Sequence, residues 1–283
     1  MLSALLAANP GVFAAGEVVT LSMLSEHPTL ACSCGALVAE CPFWSSVLKA
    51  TDSPRAPPES LRVTSRLGEL KEMIVVVLEY AVGIRRLNSR LSFVERRLLA
   101  ISEASRSSVI IDSSRHIGRG LMLRMLPGDR VNVVYIHLIR DGRGVAWSLK
   151  TRPTNPPGEP PETVPVPIGA AGWVLRNLLC TLVFNSSPRR YARVRYEDLL
   201  ANPVKELRRI GSHLGLDVST AVERLGRGEP FYADHIFDGN PRLSNREIRL
   251  NLDTLWQRQM PRQDQRLVWF IGGWLARSYG YRR

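Results

Sequence analysis

Cysteine is scarce in this chain. Four thiols in 283 residues cannot staple a fold of this length, which excludes a disulfide-built scaffold and makes a reducing, cytoplasmic setting the expectation. Long apolar runs are missing too. No uninterrupted apolar stretch reaches about 18 residues, and the candidate at Met73 to Leu78 is cut by Glu79 and then by Arg85-Arg86, so no membrane span is expected. The opening MLSALLAANPGVFAAGE lacks a basic n-region, and Asn9-Pro10 breaks its apolar run early, so it reads as a buried helix rather than a leader. No G-x-x-x-x-G-K-[ST] loop occurs, which argues against an ordinary P-loop kinase. Internal repeats, low-complexity tails and recognised nucleic-acid modules are also absent.

Acidic residues are in deficit, 26 against 38 lysines and arginines, giving a net charge of +12. An excess of that size calls for an anionic partner. The basic residues are scattered over many segments rather than gathered in a stripe, which favours a phosphorylated or sulfated small molecule over nucleic acid. With 45% hydrophobic residues the chain can bury a full core, and the alternation of helical and strand-like segments favours a single α/β unit over residues 1–283. The thiols Cys32, Cys34 and Cys41, with His27 nearby, permit a zinc reading. They lack the paired C-x-x-C knuckles of a strong zinc signature, so reduced structural thiols and no metal are expected.

Along the chain, a helix over Met1 to Asn9 leads to a short strand at Val12 to Ala15 that delivers Gly16-Glu17. Cys32 to Phe43 is turn-rich. Residues 61–105 contain no proline and carry apolar residues at helical spacing, a helical insertion. Ser108 to Asp112 is a β-branched strand, Arg115 to Leu126 a helix closed by Pro127-Gly128-Asp129, and Val131 to Ile139 a second strand. Strand, helix and strand at this spacing predict a parallel sheet, with Asp112-Ser113-Ser114 and Arg140 at its ligand-binding carboxyl edge. Ser113 could there contact a ligand or cap the next helix. Seven prolines between Thr151 and Pro167 predict an irregular loop, either a substrate cover or a stiff connector. A helix near Ala170 to Asn185, a strand at Tyr191 to Arg195, a helix at Pro203 to Leu214, an irregular Phe231 to Arg246 and helical stretches to Tyr281 complete the pattern. His137, in mid-strand, reads as a satisfied core histidine.

The segment Tyr135 to Arg152, YIHLIRDGRGVAWSLKTR, carries the sharpest chemistry. A strand ending in Arg140 and feeding a glycine-lined helix start holds an anion well: the guanidinium forks onto phosphate oxygens and backbone N–H groups approach closely. Ser148 lies eight residues beyond Arg140 and Arg152 four beyond Ser148, so Ser148 and Arg152 share a helix face.

This segment resembles the 3′-phosphate-binding motif of sulfotransferases that use 3′-phosphoadenosine 5′-phosphosulfate (PAPS), in a spelling closest to the tyrosylprotein and bacterial branches. VRYEDLLANPVKELRRIGSHLGLD (Val194 to Asp217) resembles the family's strand–YEDL–helix segment, which implies a nucleotide contact for Tyr196. HIFDGNPRLSN (His235 to Asn245) resembles the loop that wraps the adenosine phosphates, with Arg242 the candidate cation and Asn240 beside it. The opening MLSALLAANPGVFAAGE resembles the helix after the family's phosphosulfate loop, which places Glu17 where tyrosylprotein enzymes carry their catalytic glutamate.

The resemblance implies a P-loop-NTPase-like three-layer α/β/α fold with a central parallel sheet. It also implies that the chain as given starts inside the first helix, without the first strand and phosphate loop, through a misplaced start or a genuine loss. The implied activity is sulfuryl transfer from PAPS to a hydroxyl-bearing acceptor, with Arg140, Ser148 and Arg152 on the 3′-phosphate and Glu17 as base. A catalytically inactive nucleotide-binding relative is the alternative. No residue pattern identifies the acceptor.

Overall fold

Turn chemistry sets the frame at the amino end. Helix α1 (Leu2–Ala7) buries Ala4, Leu5 and Leu6, and the buried Asn9 ends it by donating to the Leu6 carbonyl at 2.9 Å. Gly11, at φ +73°, then reverses the chain into strand β1 (Val12–Gly16), a left-handed conformation natural to glycine. The computed structural model describes residues 1–24, 30–51, 74–79, 85–152, 163–185, 188–232, 234–236, 247–248 and 250–283. They form two compact units, Met1–Val133 with Asp217–Arg249 and Val134–Leu216 with Leu250–Arg283.

In the first unit β1 runs parallel to β2 (Val109–Asp112), with Val12 opposite Val109 and Ala14 opposite Ile111. A 3-10 segment (Val18–Met23) follows β1. An antiparallel bridge between Ala31 and Leu37 brackets Gly35, itself at φ +92°. Helix α2 (Pro42–Thr51), helical backbone at 74–79 (α3), α4 (Arg85–Ser105), α5 (Ile117–Arg124) and α10 (Ser219–Gly226) complete the unit. Its core gathers Ala15, Val18, Leu21, Cys32, Val38, Cys41, Trp44, Val47 and Ile101. Asn9 joins the two ends of the unit by accepting from the Ala221 N–H at 3.1 Å. The predicted helical pattern holds over 74–79 and 85–105; residues 61–73 and 80–84 lie outside the described residues.

In the second unit β3 (Tyr135–Ile139) runs parallel to β4 (Tyr191–Arg195), Tyr135 opposite Tyr191 and Ile139 opposite Arg195. Around them lie α6 (Gly142–Thr151), α7 (Val166–Phe184), α8 (Tyr196–Ala201), α9 (Pro203–Leu214), α11 (Leu255–Gln259) and α12 (Arg262–Ser278). Ile139, Trp173, Leu275, Ala276, Tyr279 and Tyr281 form one core patch, and Ala146, Val166, Ala170, Trp256, Met260 and Val268 another. His137 is satisfied as expected: its ring nitrogens meet Tyr191 Oη at 2.6 Å and Asn177 Oδ1 at 2.9 Å.

The chain is thus a mixed α/β protein with parallel strand pairs, as expected. The partners differ from the expected strand–helix–strand unit: β2 hydrogen bonds to β1 and β3 to β4. Two local expectations are corrected. β3 starts at Tyr135 rather than Val131. α7 starts at Val166 rather than Ala170, because a proline in the first helical turn needs no amide partner; residues 153–162 of the proline-rich stretch lie outside the described residues. α7 is also, among the described residues, the one helix long and apolar enough by length and composition to cross a bilayer. Arg176 and Asn177 interrupt its apolar run, which is why a search for unbroken stretches passes over it.

Candidate functional site

The carboxyl end of β3 is where the second unit concentrates charge. Asp141 caps α6 by accepting from the Arg143 N–H at 2.8 Å, and it also takes the Arg143 guanidinium at 3.0 and 2.7 Å. The Arg140 carbonyl accepts from Trp173 Nε1 at 2.9 Å, so the backbone that carries Arg140 is fixed on both sides. A Cβ on Gly144 would lie 2.9 Å from Trp256 and 3.1 Å from Arg140 Nε. The glycine of the motif is therefore what lets Trp256 and the arginine side chain settle over the first turn of α6.

Arg140 and Arg152 converge on one carboxylate. Arg140 Nη2 lies 3.2 Å from Asp253 Oδ2 and from the Asp253 carbonyl, and Arg152 Nη2 lies 2.9 Å from the same Oδ2. Tyr196 lies under the Arg140 guanidinium at 5.1 Å, within cation–π range. Its hydroxyl donates to the Asn251 carbonyl at 3.3 Å and accepts from the Asp253 N–H at 3.4 Å. Burial pushes the Asp253 carboxyl up, but the Leu255 N–H and the two guanidiniums outweigh it and hold the group below the ordinary aspartate range. Ser148 sits half-buried on α6, and among the described residues its hydroxyl has no hydrogen-bond partner.

A cavity of about 310 Å³ opens beside this cluster, lined among others by Asp253, Arg195, Glu197 and Tyr281. Glu197 anchors it, accepting from the Asp141 N–H at 3.0 Å and lying 2.6 Å from the Tyr281 hydroxyl. Burial foremost, then the Glu197 carboxylate, pushes the Tyr281 hydroxyl up, so it stays a donor. Arg195 lies over the Tyr281 ring at 4.4 Å. Sequence reasoning brought out Arg140, Arg152 and Tyr196 but missed Asp253, Glu197 and Tyr281. The Asp253-Thr254-Leu255 helix start and the YEDL carboxylate were the available signals.

In the first unit, Glu17 follows Gly16 (φ +79°) and heads the 3-10 segment. It is buried, and both Arg115 Nη2 and Nε hold its Oε1, at 2.6 and 2.7 Å. Ser113 is no helix cap: α5 starts at Ile117 after His116. Its N–H donates to the Gly16 carbonyl at 2.7 Å and its hydroxyl pairs with that of Ser3 at 2.8 Å. Asp112 takes the Ser114 N–H on Oδ1 at 2.9 Å and the buried Arg119 on Oδ2 at 3.1 Å. Asn240 and Arg242 lie outside the described residues.

The thiols of the first unit also meet. Cys32, Cys34 and Cys41 are joined by His235, their four ligand atoms all within 4.8 Å of one another. His27 lies outside the described residues.

Fold and sites together define a mixed α/β protein with an arginine-rich cluster after one parallel strand pair and paired carboxylates after the other. No family model and no curated protein matches the chain. Among solved structures, it is similar to a sulfotransferase domain from the curacin biosynthetic pathway, at 15% identity and a TM-score of 0.38 over 97% of this chain and 99% of that one. It is likewise similar to the sulfotransferase domain of the Synechococcus PCC 7002 olefin synthase, at 17% identity and 0.37, over 97% and 96%. Similarity of that extent assigns neither family nor activity.

Proposed function

We propose that the chain is a PAPS-dependent sulfotransferase domain whose donor-binding residues include Arg140, Ser148, Arg152 and Tyr196. The observation that carries this reading is the convergence of Arg140 and Arg152 on a single anionic oxygen, at 3.2 and 2.9 Å, with Tyr196 against Arg140. Their side chains are 21% and 45% exposed, so the pair is reachable from solvent, unlike a sealed structural bridge. A phosphate with several anionic oxygens satisfies two guanidinium forks better than one carboxylate does. In this reading Asp253 competes for the arginines and yields to the 3′-phosphate.

The reaction moves a sulfuryl group in line. The acceptor oxygen forms a bond to sulfur, the bond from sulfur to the 5′-phosphate oxygen breaks, and adenosine 3′,5′-bisphosphate departs. Positioning and charge stabilisation supply most of such catalysis. The role of Glu17 as the base that takes the acceptor's proton rests on the sequence resemblance. Its ion pair with Arg115 favours a second reading, a relative that binds the nucleotide and transfers nothing, because Arg115 engages Oε1 with two nitrogens.

Calorimetric titration with adenosine 3′,5′-bisphosphate tests the nucleotide site. Binding by the full chain, weakened at least about tenfold in Arg140→Ala, is the expected result; equal affinity in both proteins sinks the assignment. Sulfate transfer from labelled PAPS to a panel of hydroxylated acceptors then separates the two readings.

A further inference from the structure

The four side chains that meet in the first unit have the composition and spacing of a metal centre. Cys34 Sγ lies 3.7 Å from Cys41 Sγ, and His235 Nδ1 lies 3.3 Å from Cys41 Sγ and 3.7 Å from Cys32 Sγ. A zinc ion with Zn–S bonds of about 2.3 Å and Zn–N of about 2.0–2.1 Å spaces its sulfurs about 3.8 Å apart, and sulfur from nitrogen about 3.6 Å, when tetrahedral. Those three separations lie within about 0.3 Å of these values, and all four ligand atoms lie within 4.8 Å of one another. They are also far beyond a disulfide's bonding distance of about 2.05 Å, and all three thiols are free. Buried cysteines that serve only as small apolar side chains have no reason to gather their sulfurs around an imidazole nitrogen.

The scaffold holds these atoms by contacts independent of the thiols. His235 adopts φ +50°, a conformation uncommon for a residue with a Cβ. It is kept there by Trp44 Nε1 donating to its carbonyl at 2.8 Å and by a two-way clasp next door. In that clasp the Ser33 N–H donates to the Ile236 carbonyl at 3.1 Å, and the Ile236 N–H donates to Ser33 Oγ at 2.9 Å. Phe43 stacks on the imidazole at 5.3 Å and 16°. On the thiol side, the Cys32 N–H donates to the Ala36 carbonyl at 2.8 Å and Gly35 makes the tight turn. Cys32 and Cys41 are buried, His235 is half-buried and Cys34 faces solvent, so an ion can enter from the Cys34 side. Strain at His235 that serves to aim one nitrogen at two sulfurs is the mark of a built site.

We propose that Cys32, Cys34, Cys41 and His235 Nδ1 form a structural zinc site of the Cys₃His type. Four protein ligands fill the tetrahedral shell and leave no position for water or substrate, so the ion fastens rather than catalyses. What it fastens is the turn-rich Ala31–Cys41 segment to the 234–236 segment, which lies 194 residues beyond Cys41. The spacing C-x-C, a third cysteine and a histidine this remote is why no local signature announces it.

The full chain, purified without a polyhistidine tag, is analysed by plasma mass spectrometry after dialysis against metal-free buffer. One zinc per chain is expected. Cys34→Ser, at the exposed ligand and so least disruptive to the core, should retain less than about a tenth of that, while Cys180→Ser, outside the cluster, keeps the full equivalent. Refilling the stripped wild-type chain with Co²⁺ should give tetrahedral d–d bands with thiolate-to-cobalt charge transfer, a readout that needs no variant. Folded, metal-free protein that gives no such spectrum overturns the site. So does zinc that survives in Cys34→Ser, one equivalent of a different metal, or a mass lower by two hydrogens with no metal bound.

Discussion

The two units use a parallel strand pair in opposite electrostatic senses. After β1 and β2 the strands deliver carboxylates, Glu17 and Asp112, and the arginines that neutralise them, Arg115 and Arg119, come from the segment after β2, 98 residues beyond Glu17 and 7 beyond Asp112. After β3 the strand delivers an arginine, Arg140, and the carboxylate comes from Asp253, 113 residues later. Solvent access differs as well. The Arg119 side chain is 1% exposed against Asp112, whereas Arg115 is 73% exposed against Glu17, and Arg140 and Arg152 are 21% and 45% exposed against Asp253. A sealed ion pair is closed to incoming anions and so acts on stability; an open one can exchange its carboxylate for another anion and so can act in binding.

The largest effect should come from breaking the sealed pair. Asp112→Asn leaves the Arg119 guanidinium buried without its carboxylate, and losing one partner of such a pair costs about 3–5 kcal/mol. Chemical denaturation of Asp112→Asn beside Asp253→Asn measures the contrast directly. Similar losses in the two variants would show that exposure does not separate the clusters.

A somewhat smaller effect is expected from pH, through His137 in the second unit. Burial foremost, with the nearby Arg193 charge, lowers His137 to about 4 although Asn177 Oδ1 favours the protonated ring. A neutral imidazole that donates from Nε2 to Asn177 and accepts at Nδ1 from the Tyr191 hydroxyl satisfies both partners. The folded state therefore binds fewer protons than the unfolded state between about pH 6.5 and about 4. Stability from this group is complete above that window, falls as the pH drops through it, and is lost to the extent of about 3 kcal/mol at its acid end. His137→Gln, which cannot titrate, should flatten the slope of stability against pH in that window; an unchanged slope would assign the acid sensitivity elsewhere.

Sequence patterns carried the local elements and the near half of each site. β4 (Tyr191–Arg195) and α9 (Pro203–Leu214) fall where the pattern puts them, because a β-branched or amphipathic period and a following glycine are local signals. Strand partners are not local. Nothing in SVIID says that β2 pairs with β1. α8 escaped because six residues starting at Tyr196, directly after a strand, offer too short a period to detect. Arg140 and Arg152 were legible because a strand end, a glycine turn and a helix end fix them within one segment, although Arg152 follows α6 as its extended C-cap and so does not share the expected helix face with Ser148. Asp253 and His235 were not, since each reaches its partners across 100 residues or more. Charge and thiol chemistry announce that a partner is needed, and only the fold says which one.

The smallest expected change in stability is also the most informative about binding. Asp253→Asn removes the carboxylate shared by Arg140 and Arg152, and for a partly exposed cluster the stability cost should stay within about 1 kcal/mol. If Asp253 competes with an incoming phosphate for those guanidiniums, the same substitution should tighten adenosine 3′,5′-bisphosphate by a factor of about five, that same 1 kcal/mol expressed as affinity. A purely structural Asp253 gives the opposite sign: without it Arg140 and Arg152 lose their common anchor and the nucleotide binds more weakly. Titrations of Asp253→Asn and Arg140→Ala side by side therefore decide whether the exposed cluster is an exchangeable anion site or the outward-facing counterpart of the sealed pair in the first unit.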